Sequence, residues 1–152
     1  MGTTTIKPST RAIYDEDFVA WAADTAQLLR ERRFDEIDVE NLAEEVDAMA
    51  GRDRRELQSR LAVIVIHLLK WKYQRNKRSR SWQSTIVTQR RELRQLLQQS
   101  PSLKREVAES VKEVYPDAVD GAAAETGLSV SAFPSACPFS PEQVLDRTYL
   151  PE

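Results

Sequence analysis

Residues 57–71 read LQSRLAVIVIHLLKW, and the fold follows from that stretch. Leu57, Leu61, Ile64, Leu68 and Trp71 fall three or four apart, the spacing that lines up side chains on one helix face. Val63, Val65, Ile66 and Leu69 fill other faces. A helix that is apolar on nearly every side belongs in the middle of a bundle. Each buried Leu, Ile or Val contributes roughly 1.5–3 kcal/mol relative to exposure. The most apolar run, residues 61–69, contains His67 and falls far short of the ~20 residues that span a bilayer, so no membrane role is expected.

The same periodicity extends outward from this spine. The spine helix is expected from Arg52 or Asp53 to about Gln74. Before it, Asp38 is placed to cap a helix with Leu42, Val46 and Met49 on its apolar edge, stopped by Gly51. Earlier still, Asp15 is the expected cap of a helix carrying Phe18, Trp21, Thr25 and Leu28, ending near Arg32 or Arg33. Residues 1–14 have no periodicity and read as disordered. After the spine, Ser81 is expected to cap a helix with Trp82, Ile86, Leu93, Leu96 and Leu97 inward. That helix should end at Ser100–Pro101, because a residue before proline avoids the α region. Ser102 should open the next helix, carrying Leu103, Val107, Val111 and Val114. Pro116 should break or kink it, with helix resuming as far as Gly127. Residues 128–139 read as extended. Ser140, Pro141 and Gln143 then form a capping-box pattern for a short last helix. Only residues 129–133 suggest a strand, and they have no partner. The expectation is an all-α, irregular bundle of four main helices over residues 15–127. Residues 128–152 add an extended proline-containing tail with a short capping helix packed on the bundle.

Charge is distributed unevenly. Residues 11–50 hold twelve acids against four bases, residues 52–105 fifteen bases against three acids, and residues 106–152 nine acids against two bases, although the net charge is only −2. Such a chain neutralises itself on folding or keeps its basic middle for a polyanion. The single cysteine, Cys137, excludes an internal disulfide framework and points to a reducing compartment. With no signal-peptide layout, a cytoplasmic location is expected. Four unclustered glycines offer no phosphate-cradling loop, and no Cys/His zinc framework or nucleophile elbow is present. No cofactor or metal is therefore expected, and the reading leans away from an enzyme.

Four stretches together resemble a bacterial family, domain of unknown function number twenty-nine. The first is Tyr14-Asp15-Glu16-Asp17-Phe18 with Trp21. The second is Glu44-Glu45-Val46, leading past Gly51 into an arginine-rich helix start. The third is His67-Leu68-Leu69-Lys70-Trp71, followed by Trp82, Ile86 and Arg90, then Ser100-Pro101-Ser102-Leu103. The last runs from Phe133-Pro134 through Cys137-Pro138-Phe139, Glu142-Gln143 and Leu145-Asp146 to Leu150-Pro151. The order of the pieces carries the likeness. The resemblance implies a helical fold and brings no activity with it.

Three candidate sites emerge. Lys70, Lys72, Arg75, Lys77, Arg78 and Arg80 interleave with Trp71, Tyr73 and Trp82. Cations hold phosphates and aromatic faces stack bases, so this segment is the leading binding candidate, for a protein or nucleic-acid partner. Arg90, Arg91 and Arg94 would extend it if the fourth helix lies alongside. The competing assignment of Trp71 and Trp82 is to the core. Second, Arg60 lies seven residues before His67, on the same helix face. This spacing is similar to the motif of the HEPN ribonucleases, and the likeness implies an acid–base histidine and a phosphate-contacting arginine without metal. The polar residue that commonly follows that arginine is replaced here by Leu61. Third, Glu40, Glu44 and Asp47 share a helix face. One histidine cannot supply the paired Glu-x-x-His motifs of a di-iron bundle, so Glu40 and Glu44 are expected on a solvated face, the alternative being that Glu44 or Glu45 pairs with a base of the third or fourth helix. A homodimer through exposed apolar faces is a further partner reading.

Overall fold

The structure, a computed structural model, describes residues 10–152, with side chains from Ile13 onward. It is all-α, and no strand occurs among the described residues. The helices are α1 (Thr10–Glu16), α2 (Phe18–Arg30), α3 (Val39–Tyr73), α4 (Arg80–Gln99), α5 (Val107–Thr126) and α6 (Pro141–Leu145). Short 3-10 turns occupy Phe34–Glu36, Arg75–Lys77, Pro101–Glu106 and Val130–Ala132. The described chain groups into two compact units that divide between Gly51 and Arg52, within α3.

The first unit is helical throughout its described length apart from short connections. Of residues 1–14, expected to be disordered, those from Thr10 onward are helical, and residues 1–9 lie outside the described residues. Asp17, not Asp15, caps α2, its carboxylate accepting from the Ala20 backbone N–H at 3.0 Å. α2 stops at Arg30, and Arg32 takes a left-handed φ of 58°, which reverses the chain before Phe34. Trp21, Thr25 and Leu28 face inward. Tyr14 meets Trp21 edge-on at 4.8 Å between ring centroids and donates its hydroxyl to Glu45 at 2.7 Å. That bond, with the Glu45 charge behind it, holds the Tyr14 phenol up at about 12. The partner of Glu45 is thus a tyrosine, not the expected base.

Gly51 does not end a helix. α3 runs unbroken for 35 residues through it, because Gly51 keeps negative φ and helix formers flank it on both sides. A glycine terminates a helix only when it turns left-handed, and Gly127 does so at the end of α5, with φ 75°.

In the second unit Leu57, Leu61, Ile64, Val65, Leu68 and Leu69 are completely buried, as the central helix requires. They share one core with Ile86, Leu93, Leu96 and Leu97 of α4 and with Val111, Tyr115, Ala118 and Ala122 of α5. Gly121 allows close approach here, since a Cβ at that position would come within 2.9 Å of Ile66 Cδ1. Ser79, not Ser81, caps α4 by accepting from the Trp82 N–H at 3.2 Å. Ser102 does not open the α-helix; it lies within the 3-10 turn Pro101–Glu106, and the α-helix begins only at Val107. Pro116 sits inside α5 without ending it. The capping box at Ser140 and Gln143 is complete in both directions, at 3.1 and 3.0 Å. Phe133, Phe139 and Val144 of the C-terminal segment are buried and belong to the core.

Candidate functional site

The basic segment covers the last turn of α3, the 3-10 turn Arg75–Lys77 and the first turn of α4. Its six cations do not behave alike. Lys70 lies on the inward side of α3 and is only 6% exposed. Its ammonium meets the Glu125 carboxylate at 2.6 Å and sits 4.5 Å from the centre of the Trp82 ring. A buried ammonium requires such partners to offset its lost hydration. Arg78 is also engaged. It donates from Nε to the Trp71 carbonyl at 2.8 Å, satisfying a carbonyl that the end of α3 leaves without a helical partner. Its guanidinium lies 5.0 Å from the Trp71 ring centre, and Nη2 reaches the Pro151 carbonyl at 3.4 Å. Arg78 therefore ties the helix end to the C-terminus.

Arg75, Lys77 and Arg80 are exposed, and Lys72 is half-exposed with its ammonium 5.9 Å from the Tyr73 ring. Among the described residues none of these four makes an ion pair. The corner between α3 and α4 thus presents four cations to solvent, while Lys70 and Arg78 hold the protein together. Trp71, Tyr73 and Trp82 are all half-buried. Tyr73 stacks edge-on against Phe133 at 5.4 Å, which limits its availability to a base.

Arg90 does not extend the patch. It is 4% exposed, and its guanidinium donates to three backbone carbonyls: Val144 at 2.9 Å, Tyr149 at 2.8 Å and Gln143 at 2.9 Å. A planar fork with five donors suits this arrangement, which a lysine cannot copy. Burial pulls the Arg90 pKa down, with the nearby Asp146 charge opposing it. The result is a clamp that fastens the C-terminal segment to α4. Sequence reasoning read Arg90 as surface charge. Its place beside Ile86 and Leu93, at helical spacing, was the available signal that it faces inward. Arg91 pairs with the adjacent Glu92 at 3.0 Å, and Arg94 is exposed.

Arg60 and His67 share a face of α3 but have separate partners. Arg60 is bonded to Glu56 at 2.9 Å and to Gln89 at 3.1 Å, with Glu92 at 4.0 Å. His67 is half-buried, and its Nδ1 lies 2.8 Å from the Val63 carbonyl. A carbonyl only accepts, so Nδ1 carries the proton and Nε2 is the basic nitrogen. Burial lowers the His67 pKa, and the Lys70 charge adds to this. No hydrogen bond or ion pair joins Arg60 to His67 among the described residues.

Glu40, Glu44 and Asp47 are all exposed, and no group of three or more metal-ligating side chains occurs among the described residues. Cys137 is half-buried, and burial raises its thiol pKa. That shift disfavours the thiolate. No described helix is long and apolar enough to cross a membrane. Comparison with curated proteins and with solved structures gives no significant match. A family model, by contrast, matches residues 13–150, nearly the whole chain, and the protein belongs to the family described as Domain of unknown function DUF29.

Proposed function

We propose that this chain is a helical interaction module that contacts the phosphates of a nucleic acid through Lys72, Arg75, Lys77 and Arg80. The observation that carries this reading is the division of labour within the basic segment. Cations needed for folding are bonded internally, while these four project from one corner without an acidic partner. Keeping unpaired like charges together costs some repulsion, and a polyanion removes that cost while releasing its own counterions. The sequence pI of about 5.6 makes the attraction local to the corner. Half-buried Trp71 and Trp82 brace the corner and are not offered as a stacking platform.

The test is retention on heparin and binding of a labelled single-stranded RNA across a salt series. Replacing Arg75, Lys77 and Arg80 together by Ala should abolish retention and flatten the salt dependence by roughly two units of logarithmic slope, as expected for three lost phosphate contacts. Unchanged binding in the triple variant would overturn the reading. Arg78 is left intact because its removal would disturb the fold.

One observation favours a second reading, a metal-independent ribonuclease. The Nδ1 bond to Val63 and the lowered pKa leave His67 neutral near pH 7 with Nε2 free to act as a base. RNA cleavage in the presence of chelator, lost in His67→Ala, would support it. Equal cleavage by both proteins would remove His67 from any such mechanism.

A further inference from the structure

Exposed large apolar side chains are concentrated in the first unit. Of the ten among the described residues, seven lie in residues 10–51, which also carry the acidic excess. On α3 they form a stripe. Val39, Ala43, Val46 and Ala50 follow each other at spacings of four, three and four, with Met49 beside them. This is the spacing of a seam that a second helix covers. Farther along the same helix, Leu57, Leu61, Ile64 and Leu68 repeat those intervals and are completely buried. Val39, Val46 and Met49 are instead 66%, 56% and 60% exposed. An exposed apolar stripe of this kind on a folded chain marks a contact surface.

The charges beside the stripe identify what fits it. Glu40, Glu44 and Asp47 lie along its solvent flank, and all are exposed. No ion pair neutralises any of them among the described residues. Two copies of the chain pairing stripe to stripe would set these carboxylates against their own equivalents, and like charges across an interface disfavour it. Nor does the basic portion of a second copy supply the complement. Residues 52–105 expose a single large apolar side chain, Val87, and so offer no apolar ridge. We propose that the Val39–Ala50 face of α3 docks an amphipathic helix of a partner protein, with apolar side chains at heptad spacing flanked by Lys or Arg. The apolar ridge fills the stripe, and the flanking cations meet Glu40, Glu44 and Asp47. This helix-in-groove mode reads the partner through side chains three and four apart. The stripe and the basic corner share no residue, so substitutions test the two proposals independently.

The probe is a synthetic helical peptide of about three heptads, with Leu at the seam positions and Lys or Arg beside them, together with a twin carrying Glu in place of the cations. Binding of each to the full chain is measured by fluorescence anisotropy at low and high salt. The basic peptide should bind, more weakly as salt rises, and the acidic twin should not. Val46→Asp should weaken binding roughly tenfold or more by charging the centre of the seam. The paired reversal Glu40→Lys with Asp47→Lys should shift preference toward the acidic twin. These positions are exposed, so circular dichroism should find the fold unchanged. Equal binding of the two peptides, or binding indifferent to Val46→Asp, would overturn the proposal. So would a dimer of the free chain that Val46→Asp dissociates, since the occupant would then be a second copy.

Discussion

The two stretches of α3 on either side of Gly51 share one backbone and one apolar rhythm, yet their surroundings are opposite. From Leu57 to Leu69 the helix is enclosed by α4 and α5, and six apolar side chains lose all contact with water. From Val39 to Ala50 the equivalent positions face solvent beside acidic neighbours. The lesson is that helical periodicity records which face is meant to be covered, not whether the covering element belongs to the same chain. The charges follow the same division. Lys70, Arg78 and Arg90 are bonded inside the enclosed unit, where each cation offsets its burial with carboxylate, carbonyl or ring partners.

The enclosed unit breaks most readily at Arg90. Arg90→Ala leaves three carbonyls of the C-terminal segment without their donor and opens a cavity against α4. The expected loss is about 3–5 kcal/mol, read by denaturant unfolding. Arg90→Lys should recover only part of it, because an ammonium cannot reach all three carbonyls in one plane.

A smaller effect of opposite sign comes from the junction. In an unbroken helix Gly51→Ala should stabilise the protein by about 0.5–1 kcal/mol through propensity and reduced chain entropy. A helix stop at this position would make the same change destabilising, since alanine resists left-handed φ.

The smallest expected effect is the pH response of His67. Its folded pKa lies below the ordinary 6.5 because burial penalises the charged ring. The unfolded chain then binds the proton more readily than the folded one. Stability from this source is complete above about pH 6.5 and declines as the pH falls from there toward the depressed folded value. His67→Gln should flatten the stability profile below about pH 6.5, measured by thermal unfolding, and an unchanged slope would show that other groups set it.

Much of the fold was legible because apolar spacing and capping chemistry are local signals. The spine at Leu57–Leu69, the capping box at Ser140 and the helix stop at Gly127 each depend on a few adjacent residues. Gly51 misled because glycine states only what the backbone is permitted to do. Whether the helix continues is decided by neighbours that keep φ negative. The caps slipped by two residues, Asp15 to Asp17 and Ser81 to Ser79, since several polar residues in a row are equally able to accept. The basic segment was legible as a run of charge, but its internal division was not. That Lys70 turns toward Glu125 and Arg90 toward the Val144 carbonyl depends on contacts more than fifty positions away along the chain, which no local pattern contains. Arg75, Lys77 and Arg80 are exposed and Lys72 is half-exposed, as charged side chains without a buried partner commonly are.

Amide hydrogen exchange resolved along α3 tests the contrast most directly. Residues 57–69 should exchange only through global unfolding, while residues 39–50 should exchange much faster through local opening, because Val39, Val46 and Met49 are exposed. Uniform protection from Val39 to Tyr73 would contradict the account.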